Sequence, residues 1–489
     1  MSQPVVCTPP EMQGVSSASL LDLVDTLDRS VTEMHGLVLC RHGSVIAKGW
    51  WAPYAEELPH MLFSLTKSFT SAAVGFAVSE GSLSIGDSVT SIFPDKLPRR
   101  LSKKLGAMRV YHLLTMTTGH ASDPTERATS RADGDWVKGF FAAPVEQEPG
   151  TLFVYNSVAS HVLSAIVQKV TGQTLREYLT PRLFAPLGIC PDSWETDPHG
   201  INTGGWGLMM RTEEIARFGQ LYLQKGVWNG QQVLPAAWIT ESTSRQISNR
   251  TGNFAGEDGA ENVPEHDWNQ GYGYQFWRCR HGAYRGDGAF GQFCIVFPEQ
   301  DAVLAINSAV REMPVVLNVI WDKLLPAFQP VPLPLDATAE RALRERLAGL
   351  ALNAPALKPV APQASVISGT TYRMAANKRG VETVRVEAVQ DGCVFHIRES
   401  ALDKKAECAY TGWRLTQSDV FGTRSQPLAG HAEWIQPDTL RLTLRKYVTP
   451  FVYTVDLSFG GDHVAMALRM NVNMGPTEFP LVRGAAAYA

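Results

Sequence analysis

Ser64 and Lys67 stand three residues apart in the segment Phe63-Ser64-Leu65-Thr66-Lys67-Ser68-Phe69-Thr70-Ser71. On a helix, residues at i and i+3 share a face, so this spacing lets the Lys67 ammonium reach the Ser64 hydroxyl. A serine is a poor nucleophile until a base takes its proton. A lysine becomes such a base when apolar surroundings lower its pKa. Here the surroundings are Met61, Leu62, Phe63, Leu65 and the run Ala72-Ala73-Val74. The chemistry on offer is attack on a carbonyl through a covalent serine intermediate. A bare S-x-x-K arises by chance about once or twice in a chain this long, and a solvated lysine in a first helical turn would look the same. The surrounding elements have to decide.

Those elements begin with a short amphipathic helix over Leu20–Leu27. Two strands follow, 36–40 and 45–50, flanking the turn-rich joint Arg41-His42-Gly43-Ser44 of a hairpin. The small, apolar, proline-free residues 66–78, ending at Glu80-Gly81, predict a buried helix with a glycine C-cap. Helices are also predicted over 111–116, 159–170, 212–224 and 315–325, and strands over 272–278, 293–297 and 302–307. This order gives an α+β plan: an antiparallel sheet flanked by helices, with an all-helical insertion over roughly 85–268. The first domain spans 15–335. Pro330, Pro332, Pro334 and the Ala/Pro-rich residues up to Ala364 predict a linker over 336–364. Alternating or β-branched segments at 381–389, 393–398, 439–445, 452–459 and 464–470 then predict a C-terminal antiparallel β domain, 365–489, closed or nearly closed into a barrel.

The run from Ser64 through Gly81 to Asp87, followed by His112-Leu113-Leu114-Thr115-Met116-Thr117-Thr118-Gly119, closely resembles the serine β-lactamase and penicillin-binding-like hydrolase superfamily. It is most similar to the class C-related esterase/amidase branch that includes the 6-aminohexanoate-dimer hydrolases. The resemblance spans about Gly36 to Ser308. It implies a β-lactamase/transpeptidase-like fold and a metal-independent, cofactor-free hydrolase. The family's Tyr-x-Asn motif matches Tyr155-Asn156-Ser157, so Tyr155 takes the place of a phenol that relays protons beside Lys67. Ser157 departs from the family, many members of which have asparagine there. The Lys-Thr-Gly motif aligns with Gly286-Asp287-Gly288, which assigns the oxyanion-hole N–H groups to Ser64 and Ala289. An ungapped alternative puts that motif at Ala283–Arg285. Ser157, Gly286, Asp287, Gly288 and, in the turn Gly204-Gly205-Trp206-Gly207, Trp206 are the candidate substrate-binding residues.

Other classes are less well served. Net charge is -4, with 44 basic against 48 acidic side chains, so no nucleic-acid footprint exists. No apolar run reaches the roughly 20 residues of a membrane span. The N-terminal 13 residues lack a basic start and an apolar core, so they do not read as a secretory signal. Seven scattered cysteines with no C-x-x-C pair point to reduced thiols, no metal site and a cytoplasmic location. Gly286 to Gly291 spells G-x-G-x-x-G, yet an apolar strand follows it and no helix does, which argues against a nucleotide. His112 on an apolar helix face reads as a core histidine. Tyr272 and Tyr274 read as strand residues.

The expected activity is hydrolysis of a small amide or ester through an acyl-enzyme on Ser64, with Lys67 and Tyr155 as general base and acid. Which of the two is the base stays open. So do a true β-lactamase or D-peptide peptidase, an acyltransferase and a non-catalytic penicillin-binding-like scaffold. A homo-oligomer also stays open. Gly286 offers no cation where relatives hold a substrate carboxylate, and Asp287 would repel one unless Arg285 swings in to replace it.

Overall fold

The computed structural model describes residues 7–249, 266–356, 361 and 363–487, which divide into two compact units. The first holds most of the chain up to Gly349. The second holds residues 350 onward with the short stretches 51–55 and 309–311. Part of the N-terminal segment, 1–6, and part of the expected linker, 357–360 and 362, lie outside the described residues.

The first unit is built on a six-stranded antiparallel sheet. Its order is Ser44–Trp50, Met34–Arg41, Ala302–Ser308, Gln292–Phe297, Tyr284–Gly288 and Trp277–Arg278. Every residue of Met34–Arg41, Gln292–Phe297 and Ala302–Ser308 is buried. Strands covered on both faces read as apolar runs, and the stretches 37–40, 293–297 and 302–306 do. Helix Ser17–Ser30, capped by the Ser16 hydroxyl accepting from Ser19 N, packs against Met313–Val319 and Ala337–Ala348. Helices Thr66–Ser79 and Ser157–Thr171 pack on each other, and Phe69 of the former stacks on Phe218 of helix Thr212–Leu223 at 4.0 Å. That third helix lies on the sheet, against Met34–Arg41, Gln292–Phe297 and Ala302–Ser308.

Three expectations differ. The insertion is not purely helical: Leu208–Met210 pairs with Ser193–Trp194 and with His60–Met61, and 250–265 lies outside the described residues. The expected strand over 272–278 shrinks to Trp277–Arg278, because Gly271 at φ +109° and Gln275 at φ +65° bend the chain. The expected linker opens with a 12-residue helix, Ala337–Ala348, in the first unit. Its residues are strong helix formers, Asp336 accepts from Thr338 N and Ala339 N, and Arg346 reaches Asp25 at 2.7 Å and also Asp28. The Ala/Pro composition concealed that register.

The second unit is a mixed β-barrel of nine strands. Around the ring run Leu402–Ala409, Gly392–Glu399, Val381–Val389, Thr371–Met374, Val482–Ala486, His463–Met470, Val452–Gly460, Thr439–Arg445 and Gln426–Gln436. A parallel bridge between Ala409 and His431 closes it, and Arg414–Ser418 pairs onto Gln426–Gln436 beside the closure. Alternate residues such as Val384 and Val386, Phe395 and Ile397, and Leu440, Leu442 and Leu444 fill the interior.

Candidate active site

Ser64 sits in the single 3-10 turn Phe63–Leu65 that leads into helix Thr66–Ser79. Phe63, directly before it, has φ +49°, a left-handed conformation that bulky residues rarely adopt, and packs edge-on against Phe290 at 5.3 Å. Strain of about 1–3 kcal/mol next to a reactive residue fixes the direction of its side chain. The turn is anchored from below: Leu62 N donates to Leu208 O at 3.0 Å, and Leu208 N donates to Thr66 Oγ1 at 3.3 Å.

Lys67 is 1% exposed, and its Nζ has three neighbours: Ser64 Oγ at 2.9 Å, Ser157 Oγ at 3.0 Å and Gly205 O at 2.8 Å. Each comes from a different part of the chain. Ser157 opens helix Ser157–Thr171, whose N-cap Asn156 accepts from Ala159 N. Gly205 belongs to the loop that the small sheet brings over the catalytic turn. A Cβ on Gly204 would meet Ser160 O at 2.1 Å, and one on Gly205 would meet Ser157 O at 2.6 Å, so only glycines let this loop approach. Burial pushes the Lys67 amine down to about 7, against the opposing pull of the Asp123 and Asp287 carboxylates. A neutral amine has two N–H bonds and one lone pair. Gly205 O and Ser157 Oγ take the two hydrogens, which leaves the lone pair for the Ser64 proton.

The Tyr155 hydroxyl is hydrogen-bonded to the Ser64 side chain, and Lys67 Nζ lies 4.7 Å from the Tyr155 ring centroid. Burial raises the phenol far above its usual pKa, so it remains protonated at neutral pH. Tyr155 stacks on Trp277 at 5.5 Å and meets Tyr272 edge-on at 6.4 Å. Tyr272 thus supports the phenol from behind.

The third strand closes the site differently from expectation. A Cβ on Gly286 would meet Leu65 Cδ1 at 2.3 Å, and one on Gly288 would meet Leu62 O at 2.1 Å. These glycines press the strand against the catalytic turn; they do not line a cleft. Ala289 follows in the tight turn to Gln292–Phe297, part-exposed and one residue from that contact. Arg285 is no free cation. It is 0% exposed, bonded to Asp287 Oδ2 at 2.8 Å, Asp267 O at 3.2 Å and Cys279 Sγ at 3.1 Å, with its guanidinium 4.3 Å over the Trp268 ring. Asp287 is therefore paired and buried, and burial raises its carboxyl despite Arg285. The swing expected of Arg285 is blocked.

Trp206 follows Gly205 directly and packs on Trp136 at 5.5 Å, both rings part-exposed at the mouth. His112 is half-buried, and its Nδ1 accepts from Arg109 N at 3.0 Å, so it caps a helix and is not a core residue. Among the described residues no group of three or more His, Cys, Asp or Glu side chains converges as metal ligands would, and no helix is long and apolar enough to cross a membrane.

Three contributors escaped the sequence. Asp123 acts on both Lys67 and Tyr155 across the mouth, and Trp136 partners Trp206. Gln275 ties helices together: its carbonyl accepts from Ser68 Oγ at 2.9 Å, its side chain accepts from Ser160 Oγ at 2.6 Å and donates to Leu113 O and Leu114 O. No local motif marks them. Only an aspartate, a tryptophan and a glutamine without periodic context stand there.

A family model described as Beta-lactamase matches residues 26–321, well over half of the chain. A 6-aminohexanoate-dimer hydrolase from Paenarthrobacter ureafaciens is 26% identical over 234 residues, covering 45% of this chain and 59% of the relative. Esterase EstB from Burkholderia gladioli is 29% identical over 176 residues, covering 33% of this chain and 45% of the relative. The chain thus spans about half the length of these curated relatives. In fold it is similar to a structure described as a putative 6-aminohexanoate-dimer hydrolase from Bacillus anthracis, with a TM-score of 0.52 and 20% identity over 68% of this chain and 88% of that one.

Proposed function

The chain belongs to the β-lactamase family of serine hydrolases, and from that premise we propose that it hydrolyses an uncharged amide or ester through an acyl-enzyme on Ser64. The observation that carries this reading is the environment of Lys67 Nζ: buried, with its pKa lowered to about 7, and within 2.9 Å of Ser64 Oγ. Lys67 takes the Ser64 proton as Oγ bonds to the substrate carbonyl carbon. The backbone N–H groups of Ser64 and Ala289 hold the oxyanion. Tyr155, a phenol at rest, hands its proton to the departing amine or alcohol as it takes one from the Lys67 ammonium. The same pair then activates the water that releases the acyl group. The phenol's raised pKa favours Lys67 as the base and Tyr155 as the acid.

Substrate charge follows from the surroundings. The charges acting on Lys67 are the carboxylates Asp123 and Asp287, and Arg285 is locked to Asp287. A substrate carboxylate beside the scissile bond faces the Asp123 carboxylate and no free arginine. The names of the two relatives, a 6-aminohexanoate-dimer hydrolase and an esterase, fit an amide or ester bond and say nothing for an uncharged substrate. A lost charge-assisted hydrogen bond costs roughly 1.5–3 kcal/mol, about one to two powers of ten in kcat/KM. The test compares nitrophenyl esters, linear amides, a D-amino-acid peptide and a cephalosporin, with each carboxylate substrate set against its methyl ester. The methyl esters should be favoured by about tenfold or more. A tenfold preference for the free acids would contradict the reading.

A further inference from the structure

We propose that the seam between helix Thr212–Leu223 and the hairpin Met34–Trp50 binds an uncharged small molecule that presents a carboxamide or lactam edge on an apolar body. A cavity of about 470 Å³ opens there, bounded on its third side by the short hairpin Val227–Gln232. That volume lies within the roughly 300–1,000 Å³ of small-molecule pockets. It is distinct from the site around Ser64. Glu213, Arg217, Gln220 and Gln224 line it at spacings of three and four, so they share one face of the helix. Phe218 and Tyr222 point the other way, and Phe218 stacks on Phe69 of the catalytic helix. The helix separates the two sites.

Gln220 is the key observation. It is 6% exposed, and both its Nε2 and its Oε1 are buried without a hydrogen-bond partner among the described residues. Trp228 Nε1, in the hairpin wall, is in the same condition. Folded proteins leave few buried polar atoms unmet, because each forfeits its hydration without return. Two such groups on one cavity define an unmet pattern: a donor and an acceptor side by side from the amide, plus a second donor from the indole. The terminal torsion of glutamine is soft, so a small rotation presents its edge to the cavity of which it forms the wall.

The lining carries one acidic and one basic side chain, Glu213 and Arg217. Lys48 holds Glu213 at 2.9 Å, and Arg217 Nη1 donates to Gly188 O at 2.7 Å. Val38, Val45, Ala216 and Val227 supply the apolar part of the wall, with Cys40, whose thiol burial pushes up to about 12 and so keeps uncharged; Gln224 and Asn229 are neutral polar neighbours. With one charge of each sign in the lining, the cavity favours neither an anion nor a cation. A neutral carboxamide or lactam pairs with Gln220 through two hydrogen bonds, its carbonyl takes the indole N–H as well, and its hydrocarbon body fills the valine-lined floor.

The test uses the full chain with naphthamide as probe and N,N-dimethylnaphthamide, which cannot donate, as its control, measured by calorimetry and equilibrium dialysis. Naphthamide should bind saturably at one site, and the dimethyl compound about tenfold or more weaker. Gln220→Leu should weaken naphthamide by a similar factor or more and the dimethyl compound, which keeps only the accepting carbonyl, by less. Ser64→Ala should bind naphthamide as the wild type does. Equal affinity of the two probes for the wild-type chain, absence of saturable binding, or a loss in Ser64→Ala with none in Gln220→Leu would each overturn the proposal. The probe pair decides on wild-type protein even where Gln220→Leu does not fold.

Discussion

Lys67 in the first unit and Lys446 in the barrel share a setting and differ in consequence. Both are buried, at 1% and 3% exposure, and each lies over a tyrosine ring, Tyr155 at 4.7 Å and Tyr453 at 5.4 Å. Burial pushes the first down to about 7 and, with the nearby Lys404, the second down to about 8. Around Lys67 stand two hydroxyls and a carbonyl, with Ser64 at the mouth. Lys446 Nζ donates to Phe421 O at 3.1 Å, and the charges acting on it are Lys404, Asp419 and Glu399, with no nucleophile beside it among these. Desolvation makes a weak acid of either ammonium. A part-exposed nucleophile, a relay phenol and an oxyanion turn are what make one of them a candidate base.

The comparison breaks most sharply by substitution at the first site. Ser64→Ala should abolish turnover, and Lys67→Ala should lower kcat by several orders of magnitude with the fold intact by circular dichroism. Because the two act as a unit, the double variant should be scarcely slower than either. Independent, multiplying losses would mean that Lys67 does not act through Ser64. Lys446→Met should leave kcat/KM unchanged and alter stability instead. The folded chain holds the Lys446 proton less tightly than the unfolded chain, so stability from this group is lowest below about pH 8 and rises as pH approaches 10.5. Denaturant unfolding should therefore show the wild type gaining on Lys446→Met between those values; a constant difference would remove the parallel between the two lysines. The smallest effect concerns Asp123, whose carboxylate favours the Lys67 ammonium. Asp123→Asn should move the acid limb of kcat/KM to lower pH. A shift upward would place Asp123 elsewhere in the electrostatics.

The pair Ser64 and Lys67 was legible because their contact is local, one helical turn long, and the strand stretches 293–297 and 302–306 because burial on both faces leaves an apolar run. Tyr155 was legible through its neighbours Asn156 and Ser157 and the helix they open. The rest of the site is assembled over distance. Gly205 reaches Lys67 across 138 positions and Gln275 reaches Ser160 across 115, and neither carries a periodic signal. Strand Leu402–Ala409 went unread because Asp403, Lys405 and Glu407 alternate with Lys404, Ala406 and Cys408, so even its buried face opens on a lysine. Arg285 and Asp287 were visible as charges. Their mutual pairing, which removes the cation from the cleft, depends on Trp268 and Cys279 closing over them, and no spacing in the strand reveals that.

The central claim is that a near-neutral buried lysine activates Ser64, and the pH dependence of covalent labelling tests it most directly. Intact protein is exposed to a fluorophosphonate between pH 5 and 10, and the mass increase is followed with time and located by peptide mapping. One label should attach, at Ser64, with a rate that rises through a single ionisation at about pH 7 and then stays level, since Tyr155 keeps its proton throughout. Labelling at another residue, or a rate that climbs steadily to the ordinary lysine range near 10.5 with no plateau, would contradict the account.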